Sequence, residues 1–143
     1  MAQQNSVVVD GTSFGTCYDD SALCLTRMVL KIKIMRHPLQ EILARAFPVM
    51  PVLAVEQVED ALPLANALKA GGLTVLEVTL RTDAALQVIA AMKKVEGVTV
   101  GAGTVTHANQ FRDLEEVGAD FAISPGATPQ LLEAGRLAAM PFL

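Results

Sequence analysis

Tryptophan is absent from this 143-residue sequence, tyrosine occurs once, and aromatic residues make up only 4%. Aromatic stacking therefore cannot build the core. The core must be aliphatic, and 52% hydrophobic residues with a mean hydropathy of +0.41 supply it, both high for a soluble domain. Alanine, valine, leucine and isoleucine in such proportion suit parallel strands covered by helices on both faces. Cysteine is scarce. Cys17 and Cys24 form no CxxC pair and have no matching histidines, so no metal site is expected, and a reduced, cytoplasmic setting is. Charge is sparse at 18%, with a net charge of −4 and a pI near 5.1. No basic patch or interleaving of basic and aromatic residues is present, which argues against nucleic-acid binding. No apolar run reaches the roughly 18 residues needed to span a membrane. The polar N-terminus lacks the charged-then-apolar pattern of a signal peptide.

What is present is one domain's worth of chain, and its character changes near residue 35. Residues 1–34 are mixed and aperiodic and hold both cysteines and Tyr18. Within them Val29–Ile34 alternates like a short strand without an evident partner. They read as an extension outside the domain, or alternatively as an N-terminal arm, with Met35 a sensible start for the domain at 35–143. From there the pattern predicts a helix from His37-Pro38-Leu39 to Ala46, with Pro38 at a tolerated first-turn position. A strand over Val49–Val55 follows, then a helix over Gln57–Lys69 with Val58, Leu62, Ala65 and Leu68 on one face. Thr74–Leu80 reads as a strand and Asp83–Lys94 as a helix with Ala85, Ile89 and Met92 inward. Val98–Gly101 is a strand, Ala108–Val117 a helix, Asp120–Ser124 a strand and Pro129–Leu137 a helix. Met140–Leu143 begins another strand.

A weak repeat runs through these elements. Ala70-Gly71-Gly72, Glu96-Gly97 and Val117-Gly118 each sit between a helix and a strand, and Ala134-Gly135-Arg136 begins a fourth copy. Glycine there supplies the left-handed residue that ends a helix. Units of roughly 20–25 residues with short loops indicate successive right-handed βα crossovers. Two α/β architectures fit, a doubly wound open sheet and a (β/α)8 barrel. About four βα units and the start of a fifth strand are present, so in the barrel case the chain is its N-terminal half.

In both architectures function gathers at the C-terminal ends of the strands, and few polar residues are found there. Glu77 lies inside the apolar run Val75–Val78. A carboxylate in a strand buried on both faces is expensive unless paired or protonated, and burial raises its pKa toward the range of a general base. It reads equally as a strand-end residue bonded to backbone or to a neighbouring arginine. Arg81, four residues on, suits bidentate binding of a carboxylate, or an ion pair with Glu77, or a solvated loop. Gly101-Ala102-Gly103-Thr104 ends the next strand. Its glycines would let a ligand approach the backbone, with Thr104 as a donor, or they form an ordinary tight turn. Thr106 stands where a dinucleotide fingerprint needs its third glycine. Ser124 has no GxSxG context or partnered histidine. His37 and His107 are isolated, and read as structural or solvated. Lys69, Lys93 and Lys94 fall at helix ends on the opposite rim, where covalent chemistry is not placed.

Together these motifs resemble one family. Pro51-Val52-Leu53, Ala70-Gly71-Gly72, Leu76-Glu77-Val78-Thr79-Leu80-Arg81-Thr82, Val100–Val105 and Phe121–Gly126 occur in this order and spacing in the 2-keto-3-deoxy-6-phosphogluconate (KDPG) and 4-hydroxy-2-oxoglutarate (KHG) aldolases. The resemblance covers about residues 37–143. It implies a class I aldolase on a (β/α)8 barrel, a cytoplasmic homotrimer without cofactor, acting on small 2-oxo acids. A lysine forms a Schiff base with the substrate ketone. A glutamate, matched by Glu77, shuttles protons while pyruvate and glyceraldehyde 3-phosphate (or glyoxylate) are released. Arg81 and Thr104 match the residues that hold the pyruvate carboxylate. The family's Schiff-base lysine lies on the sixth strand and its phosphate site on the loops after the seventh and eighth. The chain as given stops at the start of the fifth. The expectation is a truncated or frameshifted copy without turnover. The alternative is a non-catalytic α/β fragment that self-associates or weakly binds 2-oxo acids.

Overall fold

The structure is a computed structural model that describes residues 39–143 apart from Ala139, together with Val8–Val9 and Thr12–Ser13. Contacts divide the chain into two units, Met1–Lys33 and Ile34–Leu143. In the first, β1 (Val8–Val9) pairs antiparallel with β2 (Thr12–Ser13). The sequence between them is Asp10-Gly11, a pair that favours two-residue hairpins. Both cysteines, Tyr18, the Val29–Ile34 strand, Met35 and the His37-Pro38 helix start lie outside the described residues.

The second unit begins with α1 (Leu39–Ala46), then β3 (Val52–Leu53), a 3-10 turn (Val58–Asp60) and α2 (Ala61–Ala70). It continues with β4 (Val75–Thr79), α3 (Ala85–Met92), β5 (Thr99–Gly103), α4 (Gln110–Val117) and α5 (Pro129–Leu137). The sheet order is β3-β4-β5, all parallel. Parallel bridges continue it from Ala102 to Ala122 and from Ala122 to Phe142. Spatial order thus follows chain order. A doubly wound sheet reverses at a switch point; this one does not, which selects the partial barrel from the two architectures that the pattern allowed.

All five residues of β4 and all five of β5 are buried, so an unbroken apolar run, not alternation, marks these strands. One face carries Leu76, Val78, Val100 and Ala102 against Ala61 and Ala65 of α2, Val88, Ile89 and Met92 of α3, and Phe111 and Leu114 of α4. The opposite face carries Val75 and Phe121, which pack on Ile42 and Ala46 of α1. Helix α1 is fastened at the N-terminal rim. Arg45 donates to the Thr99 hydroxyl at 2.9 Å and to the Gly97 carbonyl at 3.0 Å.

Several elements differ from the pattern-based expectation, each for a physical reason. The strand expected over Val49–Val55 shrinks to Val52–Leu53, because Pro48 and Pro51 cannot donate to a ladder; the Pro51 carbonyl still accepts from Glu77 N at 3.0 Å. The Gln57–Lys69 helix opens as a 3-10 turn. Of the expected face Val58, Ala65 and Leu68 pack inward, while Leu62 is 43% exposed and Ala61 is buried in its stead. Helix α3 is shorter than Asp83–Lys94, but Ala85, Ile89 and Met92 face inward as expected. The strand from Val98 to Gly101 runs on to Gly103. Asp120–Ser124 is a ladder through Ala122: Ile123 N donates to Ala102 O at 2.7 Å and Leu143 N to Ala122 O at 2.9 Å. Gly72 and Gly118, with φ of 87° and 77°, are the left-handed helix ends foreseen, whereas Gly97, with φ of 79°, lies five residues past the end of α3 in the turn before β5. Gly135 is different. It lies inside α5, where a Cβ would stand 2.6 Å from the Phe142 ring.

At the N-terminal rim Lys93 and Asp120 form an ion pair of 2.5 Å, with side chains 19% and 1% exposed. Asp120 also accepts from Val100 N at 2.9 Å, and its other oxygen is buried without a partner. Removing one member of such a pair strands a buried charge. Lys93→Met is expected to cost about 3 kcal/mol of stability, read by urea denaturation. Asp120→Asn in the same Lys93→Met background should recover part of that loss.

Candidate active site

Strand β4 delivers its residues to the C-terminal rim through a ladder bonded on both edges. Glu77 is level with Val52 on one side and Gly101 on the other. Past the strand, Leu80 N donates to Gly103 O at 2.9 Å. The Thr79 hydroxyl donates to Leu53 O at 3.0 Å and the Thr82 hydroxyl to Val55 O at 2.8 Å. These two threonines fasten the end of β4 and the turn after it to the end of β3 and the segment that follows, each bond contributing about 1 kcal/mol. Their role was not legible in the sequence, where both looked like ordinary strand-end residues.

Glu77 points away from the helix-covered face. It is 8% exposed, and burial pushes its carboxyl above the ordinary value, while the positive charge of Arg81 pulls the other way. Burial prevails. Among the described residues the Glu77 carboxyl has no ion pair within 4 Å, so Arg81, exposed just beyond the strand, acts on it through its field. Of the readings open for Arg81, the direct ion pair with Glu77 is not formed. Glu77 lies against the backbone of Gly103, where a Cβ would stand 2.7 Å from its Cδ. Thr104 is the next residue. Its φ is +63°, a left-handed conformation that costs a β-branched residue about 1–3 kcal/mol and clusters at functional sites. Glu77 is therefore seated one residue before Thr104 on the neighbouring strand, with Arg81 close enough to bias the carboxyl.

The other candidates fall elsewhere. Gly101 and Gly103 form neither a tight turn nor an open approach to the backbone; both are buried inside β5. The Ser124 hydroxyl is engaged within its own loop, donating to Gly126 O at 2.6 Å. His107 is exposed at the start of α4, beside the Thr106 hydroxyl. Lys69 donates to the Glu96 carbonyl at 2.7 Å and Lys93 pairs with Asp120, both at the N-terminal rim. A cleft of about 150 Å³ is lined in part by Leu80, Thr82, Asp83, Gln110 and Asp113. It is small for a ligand site, and Glu77, Arg81 and Thr104 do not line it. The grouping of Glu77, Thr104 and Arg81 is the better candidate on chemistry: a buried carboxyl, a strained hydroxyl residue and a guanidinium at one strand end.

Residues 39–143 match the family model described as KDPG and KHG aldolase. The chain belongs to the KDPG and KHG aldolase family. A 2-dehydro-3-deoxy-phosphogluconate aldolase from Pseudoalteromonas atlantica is 58% identical over 89 residues, covering 62% of this chain and 41% of the relative. The KHG/KDPG aldolase of Escherichia coli (strain K12) is 50% identical over 97 residues, covering 67% and 46%. Among solved structures, the 2-keto-3-deoxy-6-phospho-gluconate aldolase of Zymomonas mobilis superposes with a TM-score of 0.71 at 46% identity, covering 75% of this chain and 52% of that one. The KDPG aldolase of Legionella pneumophila, with pyruvate captured as a covalent carbinolamine, gives 0.66 at 48% identity, covering 69% and 48%. The chain spans less than half the length of these curated relatives. The family and the partial barrel inferred from the sequence motifs are borne out.

The raised Glu77 pKa has a stability consequence. A carboxyl that binds its proton more tightly when folded favours folding below the ordinary value of 4.5, and that margin is lost as pH rises through the native pKa. Glu77→Gln should therefore be more stable than the parent at pH 7, with the gain vanishing below pH 4.5. Urea midpoints at pH 7 and pH 4 measure this, and a gain independent of pH would contradict it.

Proposed function

We propose that residues 39–143 form the acid–base and carboxylate-holding half of a class I aldolase site. Its reaction would be cleavage of KDPG to pyruvate and glyceraldehyde 3-phosphate, or of 4-hydroxy-2-oxoglutarate to pyruvate and glyoxylate. The observation that carries this reading is Glu77: a buried carboxyl with a raised pKa, its side chain turned from the middle of β4 over Gly103 at the C-terminal end of β5, in a chain of this family.

In this reading the substrate carboxylate is held by the Arg81 guanidinium, which is planar and permanently charged, and by the Thr104 hydroxyl. Glu77 takes the proton of the C4 hydroxyl. The C3–C4 bond breaks, the aldehyde leaves, and the bonding electrons pass to a cationic imine at C2, giving an enamine. The proton returns to C3, and hydrolysis frees pyruvate. A carboxyl with an elevated pKa suits both halves of this transfer. The imine requires a lysine amine at the C-terminal rim. Lys69 and Lys93 are engaged at the other rim. The 143-residue chain by itself is thus proposed to hold a 2-oxo acid without cleaving KDPG. The same reading makes the full-length enzyme a cytoplasmic homotrimer that needs no metal or cofactor, with residues 1–34 outside the barrel.

Titration calorimetry with pyruvate should show binding by the 143-residue chain and a loss of at least tenfold in affinity in Arg81→Ala. Borohydride should trap no pyruvate adduct. Equal heats in parent and variant would refute the carboxylate clamp, and an adduct on Lys69, Lys93 or Lys94 would refute the absence of turnover. A second reading, self-association of the chain, is favoured by β3, which among the described residues is paired on one edge only. There Val52 is 60% exposed, beside Phe47 at 84% and Val49 at 56%. Exposed strand edges and apolar patches invite pairing. Sedimentation velocity should then show a dimer that Val52→Lys dissociates.

A further inference from the structure

Along β5, Val100 and Ala102 face the helices, while Gly101 and Gly103 face the other way. Glycine weakens a strand interior and often marks close approach by another group. Backbone conformation does not demand either glycine, since the positive-φ glycines are Gly72, Gly97 and Gly118. Space does. A Cβ on Gly101 would strike the Phe121 ring. A Cβ on Gly103 would strike Glu77 Oε1 and stand 2.7 Å from its Cδ and 2.9 Å from its Cγ.

The register shows what these vacancies achieve. Glu77 is level with Gly101, and Thr79 is level with Gly103. The Glu77 side chain nevertheless lies over Gly103, one same-face step further along the strand, roughly 6–7 Å toward the C-terminal rim. The place directly across from Glu77 is taken by Phe121. That ring is fully buried in the cluster with Ile42, Ala46 and Val75, and it cannot yield without disturbing α1. One direction is closed and the other is open.

We propose that Gly103 is a positioning residue for the aldolase base: its missing side chain is the seat that turns the Glu77 carboxyl toward the C-terminal rim, with Phe121 over Gly101 closing the alternative. The proposal rests on the reading of Glu77 as that base, and deepens it. Alanine at 103 would then be a functional change although its backbone is permissible. It would displace the carboxyl from the position where burial raises its pKa.

The test uses the 143-residue chain labelled with 13C at the glutamate carboxyls, the Glu77 resonance being identified by its loss in Glu77→Gln. In Gly103→Ala the Glu77 titration midpoint should fall toward the ordinary carboxylate range while far-UV circular dichroism is retained. A midpoint unchanged from the parent in a folded Gly103→Ala overturns the proposal. Should Gly103→Ala fail to fold, the double variant Glu77→Ala/Gly103→Ala decides: folding of the double supports the seat, and failure of both shows that Gly103 is required for another reason and overturns it. Pyruvate calorimetry on the parent separates the two readings. A parent that binds no pyruvate but whose Glu77 midpoint responds to residue 103 removes the aldolase reading and leaves the positioning intact.

Discussion

Strand β4 is bonded along both edges and buried along its whole length, and the rest of the domain is arranged around that condition. A strand in this position has no freedom to twist a side chain into water. A carboxylate placed in it at Glu77 must either find a partner or shift its proton affinity. Here it shifts, because Arg81 lies beyond the strand and offsets burial only in part. The neighbouring strand is correspondingly made of small residues on the facing side, and Thr79 at the end of β4 and Thr82 beyond it donate to the carbonyls of Leu53 and Val55.

The fastening of the barrel segment is concentrated at the other end. Arg45 ties α1 to the start of β5, Lys69 ties the end of α2 to the loop before β5, and Lys93 ties the end of α3 to Asp120. Each cation reaches across a helix–strand junction. All three lie near helix C-termini, where the helix dipole favours positive charge. Structural electrostatics and candidate chemistry thus occupy opposite rims, the division of labour expected of βα barrels.

Much of this was legible in the residues. The unbroken apolar runs of β4 and β5, the glycines at 72, 97 and 118, and Pro129 opening α5 carry local signals that tertiary packing does not override. The family motifs pointed to Glu77, Arg81 and Thr104, and Glu77 lies against Gly103, the residue before Thr104. Other features depend on contacts between residues distant in sequence. The left-handed Thr104 looks like an ordinary strand-end threonine. Gly135 resembles a helix terminator, but it is inside α5 because Phe142 needs the room. Leu62 fits an inward face, but Ala61 is buried in its stead after the 3-10 turn at Val58–Asp60. Gly101 and Gly103 read as a turn or a ligand approach, since nothing local says that Phe121 and Glu77 fill the space.

The ties of Arg45, Lys69 and Lys93 have a dynamic consequence. Local opening proceeds in cooperative patches whose cost follows the contacts they break. The segments after β4 and β5 are held by hydroxyl and backbone bonds, whereas the N-terminal rim is held by charged side chains and the α1 plug. Opening at the two ends of the sheet therefore breaks different contacts: neutral hydroxyl and backbone bonds at the rim that carries Arg81 and Thr104, and charged side-chain ties, which salt weakens, at the other.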